Sequence, residues 1–299
     1  MDFGVKMMCG LLKLLSLQPL RVHYFWSGLV KWILKAVRYR RDVVLTNLSR
    51  AFPEKKYKEI SALAGQFYSN LADIFVETIF FSRGDNAVLH GSRLVEIVNP
   101  ELLNSMFESC PGVVLLDSHC GNWELTGGVM NYFYSDVTPA FEEHKFSVVY
   151  KKVSSPFWGK VMERIRCSQV SDRENCYVES RRILRYMMER KGDRHFYVFP
   201  NDQAPYRNAT PYPVGRFLNQ ETWTMAGGVN VAAKMGFGVA YMNLDRVSRG
   251  HYLWKVTKIC DDASALTVDE INRKYYDLLE ADILRNPSNY LWSHKRWKL

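Results

Sequence analysis

From about residue 112 onward, short runs rich in β-branched residues alternate with longer runs that have helical periodicity. This alternation limits the possible folds, because strands joined by helices form a parallel sheet with helices packed on its faces. We therefore expect an α/β fold, a three-layer αβα sandwich with a mostly parallel central sheet. The predicted strands span residues 113–117, 146–150, 195–199, 239–244 and 252–259. The predicted helices span residues 155–166, 175–190 and 224–235, and a last helix follows Thr267, which forms a capping box with Glu270.

The first 50 residues form a distinct, basic segment. They carry nine Lys and Arg side chains against two Asp side chains, and so supply most of the net charge of +9. Apolar residues recur with helical spacing between Tyr24 and Arg38, which predicts an amphipathic helix. We expect residues 1–50 to associate with an anionic membrane surface and residues 51–299 to form one domain. The alternative that the sequence leaves open is a surface helix whose apolar face packs on the protein core.

The composition excludes several classes of protein. A hydrophobic content of 47% and a charged content of 24% are typical of a globular protein and exclude a disordered or fibrous chain. No segment has the roughly 18 consecutive apolar residues that a membrane-spanning helix needs. The six cysteines are scattered, without a C-x-x-C pair or a cysteine–histidine cluster, so we expect free thiols, no zinc site and a reducing compartment.

The most informative stretch is residues 113–125, in which a buried type of strand ends in a glycine-containing turn. Ligands bind at the carboxyl ends of strands in open α/β sheets, and here that end carries His119 and, five positions later, Glu124. The turn at Gly121 would fold the chain back so that the Glu124 carboxylate meets the His119 imidazole. A carboxylate bonded to one ring nitrogen leaves the other nitrogen to act as a general base toward a hydroxyl or amine.

The same residues have an ordinary structural interpretation. Asn122 would then cap a helix, Glu124 would interact with the helix dipole, and His119 would be a buried structural histidine. Cys120 is adjacent to the proposed base, but no neighbouring residue indicates a lowered thiol pKa, so we do not expect a nucleophilic role.

Polar side chains also follow three of the other predicted strands. Lys151 follows the second strand, Asp202 and Gln203 follow the third, and Arg246 follows the fourth. At the same sheet edge, Lys151 and Arg246 would contact phosphate, and Asp202 and Gln203 would position an acceptor or shape its pocket. Each is also a residue type that is common in solvated loops.

The segment His119-Cys-Gly-Asn-Trp-Glu-Leu125 resembles the H-x4-D/E motif of the glycerolipid acyltransferase superfamily. Within it, the sequence Gly-Asn-Trp-Glu resembles that of the lipid A biosynthesis (lauroyl/myristoyl) acyltransferase branch. Similar blocks lie in order over nearly the whole chain, at residues 24–53, 149–151, 201–203, 217–222 and 292–298. Two features depart from the family pattern. Lys151 stands where many members have Arg, and the apolar N-terminal stretch is short and charged where many members have a transmembrane anchor.

The resemblance implies an acyltransferase that acts without a metal or cofactor, since the acyl thioester is a co-substrate. His119 would deprotonate the acceptor, and Glu124 would orient the imidazole and stabilise its charged form. The residues that would contact substrates are Asn122, Lys151, Asp202, Gln203 and Arg246. The partners would be an acyl carrier protein (or CoA) as donor, a hydroxyl of a lipid A precursor or other glycolipid as acceptor, and an anionic membrane surface. The enzyme would lie on the cytoplasmic face of a bacterial inner membrane, peripherally or shallowly anchored.

Two alternatives stay open at this point. The same general base could serve N- or O-acylation of an amino-acid lipid or another glycolipid, because the presence of a base does not identify the group that it deprotonates. A catalytically inactive, membrane-bound scaffold would keep the fold and lose the reaction. We expect no nucleic-acid partner, because the basic and aromatic residues near the C-terminus occur without a recognised nucleic-acid-binding motif.

Overall fold

The computed structural model describes residues 3–134, 136–205 and 211–297. Its α-helices are α1 (Phe3–Ser16), α2 (Leu20–Ala36), α3 (Arg41–Ala51), α4 (Tyr57–Phe81), α5 (Asn86–Ser92), α6 (Pro100–Ser109), α7 (Pro156–Arg166), α8 (Arg173–Cys176), α9 (Ile183–Glu189), α10 (Gly227–Met235) and α11 (Val268–Arg285). Its strands are β1 (Val95–Ile97), β2 (Val113–Asp117), β3 (Phe146–Tyr150), β4 (Tyr177–Glu179), β5 (Phe196–Pro200), β6 (Tyr212–Phe217), β7 (Gln220–Thr224), β8 (Gly238–Ser248) and β9 (His251–Cys260).

A seven-stranded sheet with the order β1-β9-β8-β2-β5-β3-β4 forms the centre of the molecule. Every neighbouring pair in it is parallel except β8 and β9, which form an antiparallel hairpin. Helices cover both faces. All five residues of β2 are buried, with Val114 and Leu116 in the core on one face and Val113 and Leu115 in the core on the other. The predicted α/β fold with a mostly parallel central sheet is therefore confirmed.

The strand predictions agree with the structure most closely in the middle of the sheet. Strands β2 and β3 have the predicted bounds, and β5 begins and ends one residue later than predicted. The helix predicted over 175–190 is wrong in its first part, because residues 177–179 pair with β3 as strand β4 and the helix covers only 183–189. The helix predicted over 224–235 begins at Gly227, after the β6–β7 hairpin. The segment 201–219 contains β6, and residues 206–210 within it lie outside the described residues.

The amphipathic helix predicted near the N-terminus is confirmed as α2, and its apolar face points outward rather than into the core. Phe25 is 74% and Trp32 is 67% exposed, whereas Ser27 on the opposite face is buried. No single helix among the described residues is long and apolar enough to cross a membrane; α1 and α2 pass that test of length and composition only as a pair, and they meet at a bend of 120°.

Helix α4 joins the N-terminal helices to the sheet through two buried carboxylates, Asp73 and Glu77. Asp73 accepts a hydrogen bond from Ser27 on α2 and forms ion pairs with Arg246 at 2.5 Å and Arg249 at 2.7 Å, both at the β8–β9 end. One carboxylate thus holds α2, α4 and the hairpin together. A buried carboxylate needs such partners, because burial of an unpaired charge is costly.

We predict that Asp73→Asn destabilises the protein by about 3 kcal/mol, because it leaves two guanidinium groups without their buried counter-charge. The measurement is the free energy of unfolding from urea denaturation monitored by circular dichroism. The matched control is Asp277→Asn, which removes an exposed ion pair with Arg273 on α11 and should cost less than about 1 kcal/mol. Equal losses in the two variants would contradict this account of Asp73.

Candidate active site

Two polar loops meet at the carboxyl ends of β2 and β5. The strands pair in parallel, with Asp117 opposite Pro200, so the residues that follow them lie side by side. The Asn201 backbone N–H donates to the Asp117 carbonyl at 3.0 Å and extends the pairing beyond the strand ends. This register places His119 beside Asp202, although 82 residues separate them in the chain.

The carboxylate that meets the His119 imidazole belongs to Asp202. His119 Nδ1 lies 2.7 Å from Asp202 Oδ1, and the His119 backbone N–H donates to Asp202 Oδ2 at 3.2 Å. Asp202 is buried, and His119 is partly accessible from the adjoining cavity. Because both carboxylate oxygens are bonded to one residue, the imidazole is held in a single orientation. With the proton on Nδ1, nitrogen Nε2 is the hydrogen-bond acceptor of the ring.

The expected contact between Glu124 and His119 is wrong. Glu124 forms a two-point ion pair with Arg166, from Arg166 Nε to Oε2 at 2.6 Å and from Nη2 to Oε1 at 2.7 Å, and Trp123 Nε1 also donates to it at 3.2 Å. The reason is local: residues 123–131 form a 3₁₀ helix after the turn, which directs Glu124 toward the end of α7. Glu124 still lies near enough to His119 for its charge to help raise the pKa of the imidazole.

The turn between His119 and the 3₁₀ helix has one strict requirement. Gly121 has φ +61°, and a Cβ at this position would lie 2.3 Å from the Leu244 carbonyl oxygen, so only glycine fits. The C-terminal segment secures the same turn. The Gly121 N–H donates to the Asn289 carbonyl at 3.0 Å, and the Leu291 N–H donates to the His119 carbonyl at 3.1 Å.

The charges at this site are balanced so that the histidine titrates above its ordinary range. Burial lowers the pKa of His119, but the charge and hydrogen bond of Asp202 outweigh burial, so the pKa lies above 6.5. Burial raises the pKa of Asp202, but His119 outweighs it, so that pKa is lowered. Burial raises the pKa of the neighbouring Asp117 to about 7. Asp202 is therefore the carboxylate that carries the negative charge beside the imidazole at neutral pH.

Gln203 lies on the catalytic side of the imidazole, with its Nε2 2.8 Å from His119 Nε2. Its amide nitrogen occupies the position at which an acceptor hydroxyl would meet the base. Gln203 thus contacts the imidazole nitrogen. A residue in this position could orient an acceptor or be displaced by it.

A cavity of about 470 Å³ opens from this histidine. His119, Glu124 and Arg166 lie on its wall together with Asp117 and Gln203. The remainder of the lining is largely apolar and includes Val148, Ile183, Leu184, Met187, Phe199, Met225 and Val231. A charged centre at one part of a long apolar wall suits a substrate with a polar reacting group and a hydrocarbon chain.

The structure separates the other predicted site residues into two groups. Lys151 lies on the cavity wall and is exposed, and its contact with substrate stays a prediction. Asn122 and Arg246 are absent from the described lining. Asn122 is buried and donates to Glu77 Oε2 at 3.0 Å, and Arg246 is only 15% exposed and pairs with Asp73. Both side chains therefore bond to carboxyl groups of α4 and stabilise the fold. The prediction that they line the substrate site is wrong.

The structure also bears on a cysteine nucleophile and on a bound metal ion. Burial raises the pKa of the Cys120 thiol well above its ordinary value, which disfavours the thiolate that a nucleophile needs. Over residues 3–134, 136–205 and 211–297, no group of three or more His, Cys, Asp or Glu side chains is arranged to hold a metal ion.

Sequence reasoning missed Arg166 and Asp117 as parts of the site. Arg166 lies at the end of a correctly predicted helix, but its partner Glu124 is 42 residues away, and no local pattern links them. Asp117 is the last residue of β2, two positions before His119. A carboxyl group at the end of a buried strand beside the motif histidine could have indicated that it belongs to the site.

The fold thus places an oriented histidine–carboxylate pair on the wall of a largely apolar cavity. A family model described as bacterial lipid A biosynthesis acyltransferase matches residues 2–299, so the chain belongs to this family and is an acyltransferase. The family is generally membrane-associated in bacteria. No curated protein matches the chain.

We predict that acyl transfer rises with pH through a pKa above 6.5, because the base must be neutral and Asp202 raises the pKa of His119. Asp202→Asn removes this effect, so the rising limb should move to lower pH while the maximal rate falls by about 10² or more. The measurement is initial rate against pH. Asp245→Asn, which alters an ion pair with Arg285 elsewhere on the molecule, should leave the profile in place. An unmoved limb in Asp202→Asn would contradict the assignment.

Proposed function

We propose that this acyltransferase moves a fatty acyl chain from an acyl carrier protein or CoA thioester to a hydroxyl of a lipid A precursor, with His119 as general base. The observation that carries the proposal is the His119–Asp202 pair at the polar part of a largely apolar cavity. A hydroxyl is a poor nucleophile at neutral pH. An oriented, neutral imidazole makes it a better one by accepting its proton as the oxygen attacks.

The reaction proceeds by direct transfer. The acceptor hydroxyl displaces the Gln203 amide from His119 Nε2 and gives its proton to that nitrogen as the oxygen attacks the thioester carbonyl carbon. The carbon–oxygen bond forms, and the tetrahedral intermediate then expels the thiolate as the carbon–sulfur bond breaks. The thiolate takes the proton from Nε2, which restores the neutral base. Asp202 stays ionised throughout and stabilises the imidazolium.

Arg166, held by Glu124, stabilises the negative charge that develops on the thioester carbonyl oxygen in the transition state. The Arg166 guanidinium lies on the cavity wall, where its positive charge stabilises the oxyanion that develops on the thioester carbonyl. Burial raises the pKa of Glu124, but the charge of Arg166 outweighs burial, so Glu124 stays ionised and holds the guanidinium in place. Glu124 is thus a positioning residue for Arg166 rather than the partner of the histidine.

The substrates and the membrane fit the remaining surfaces. The acyl chain lies along the apolar wall formed by Val148, Ile183, Met187 and Phe199. We propose a peripheral position on the cytoplasmic face of the inner membrane, where both a soluble donor and a lipid acceptor are accessible. The outward apolar side chains of α1 and α2 support contact with a membrane surface. The basic N-terminal segment adds attraction to an anionic surface.

The test is acyl transfer by purified protein in detergent. Labelled acyl-carrier and acyl-CoA thioesters serve as donors, and a lipid A precursor, another glycolipid and an amino-acid lipid serve as acceptors. We predict transfer to the lipid A precursor that His119→Ala lowers by about 10² to 10⁴. Arg166→Gln should lower kcat by about 10² with a smaller change in KM, because it removes transition-state stabilisation.

A matched control is His251→Ala, which removes a histidine that contacts the Arg93 carbonyl away from the cavity and should retain activity. Transfer only to another acceptor would keep the mechanism and refute the lipid A assignment. Transfer that survives His119→Ala would refute the role of the base. Transfer by the wild type to none of the acceptors would favour the alternative of a catalytically inactive, membrane-bound scaffold.

A further inference from the structure

A second cavity, of about 570 Å³, lies between α1 and the C-terminal end of α7. Its lining carries five basic side chains, Lys6, Lys13, Arg83, Arg164 and Arg173. Glu163 is the one acidic residue in the described part of the lining, and it pairs with Arg173. We call this space the basic cavity.

The positive charge in the basic cavity is incompletely neutralised. Besides Glu163, one nearby carboxylate contributes, since Arg83 Nε lies 3.6 Å from Asp85. Lys13 donates a hydrogen bond to the Arg83 carbonyl, which leaves its charge in place. Lys6 and Arg164 are exposed and form no ion pair with any other described residue. An excess of positive charge in a concave site favours an anionic ligand.

The basic cavity lies beside an uncovered apolar surface on the same helix. One face of α1 packs on α7, where Val5 joins Val161 and Ile165 in a small core. The face that points outward carries Phe3 at 82% and Leu14 at 66% exposure. Helix α1 therefore presents apolar side chains and, next to them, lysines that line a cavity. This pairing matches a lipid at a membrane surface, with its chains against the apolar face and its headgroup beside the cations.

We propose that the basic cavity binds the phosphate group of an anionic membrane phospholipid, with Lys6 and Arg164 as its main contacts. A guanidinium presents paired donors that match phosphate oxygens, and an ammonium adds a mobile donor. The proposal rests on the membrane association of α1 and α2 proposed above, and it adds a defined site to that association.

A phospholipid of the surrounding bilayer suits this site better than the acceptor lipid does. The basic cavity shares no described lining residue with the cavity at His119. Helix α1, which lines the basic cavity, also carries an outward apolar face that would be in contact with bulk lipid.

The site is linked to the reaction through α7. Arg164 lines the basic cavity, and Arg166, one half-turn further along, pairs with Glu124 at the active site. A phosphate held by Arg164 would therefore fix the helix end that carries Arg166 and set the orientation of the active-site cavity relative to the bilayer.

The test compares binding of the full chain to vesicles of phosphatidylcholine alone and of phosphatidylcholine mixed with phosphatidylglycerol. The site variant is Lys6→Gln/Arg164→Gln, and the matched control is Arg21→Gln/Lys35→Gln, which removes two exposed charges from α2. We expect phosphatidylglycerol to raise wild-type affinity, and the site variant to lose about tenfold more of this affinity than the control does. Both variants should bind neutral vesicles as the wild type does.

Other outcomes overturn the proposal in distinguishable ways. Equal losses in the two variants would mean that charge acts diffusely, and the defined site would be refuted. An affinity that rises only when the lipid A precursor is added would assign the cavity to the acceptor instead. Failure of the wild type to bind either vesicle would refute the membrane association itself, whereas the transfer assay in detergent tests the catalytic proposal separately.

A second readout needs no variant. Cys9 lines the basic cavity on α1, so its alkylation by a maleimide, located by mass spectrometry, reports on occupancy. The mixed vesicles should slow this alkylation more than neutral vesicles do, and water-soluble glycerophosphoglycerol should not. Equal protection by both vesicles, or protection by the soluble headgroup alone, would contradict a membrane phospholipid at this site.

Discussion

The hydrogen bond between His119 and the buried carboxylate of Asp202 is the interaction on which this active site depends. It joins the loops that follow two adjacent parallel strands, and each loop is held independently, one by backbone bonds to residues 289–291 and the other by the pairing of Asn201 with Asp117. The histidine is therefore oriented before any substrate arrives. Such preorganisation is valuable in catalysis because no free energy is spent on arranging the base during the reaction.

A second carboxylate, Glu77, ties this centre to the part of the molecule that we place at the membrane. It accepts hydrogen bonds from Tyr24 on α2, from Asn122 in the active-site turn and from Tyr252 on β9. The outward apolar face of α2 and the turn that carries His119 thus share one buried partner. The membrane acceptor that we propose requires a constant position of α1 and α2 relative to His119, and this contact together with the Asp73 cluster fixes α2 relative to the turn that carries His119.

The sequence predicted the fold well where signals are local. The apolar run of β2 and the capping box at Thr267 each specify their element within a few residues, and both are present. Strand β4, of three residues, is too short for any period to appear and was read as helix. At the site, His119 was predicted by its motif, whereas its partner was misassigned because the alignment of β2 with β5 decides which carboxylate reaches it. Asn122 and Arg246 look like substrate-binding residues in sequence, but tertiary contacts with Glu77 and Asp73 use them for structure.

The most direct test of the central assignment is the protonation state of His119, observed by NMR of ¹⁵N-histidine-labelled protein, with His119→Ala identifying the resonance. At a pH above the raised pKa of His119, we predict a neutral tautomer with the proton on Nδ1 and a low-field Nδ1–H signal that Glu124→Gln retains and Asp202→Asn loses. A proton on Nε2 in the wild type, or a signal that depends on Glu124 and not on Asp202, would contradict the account.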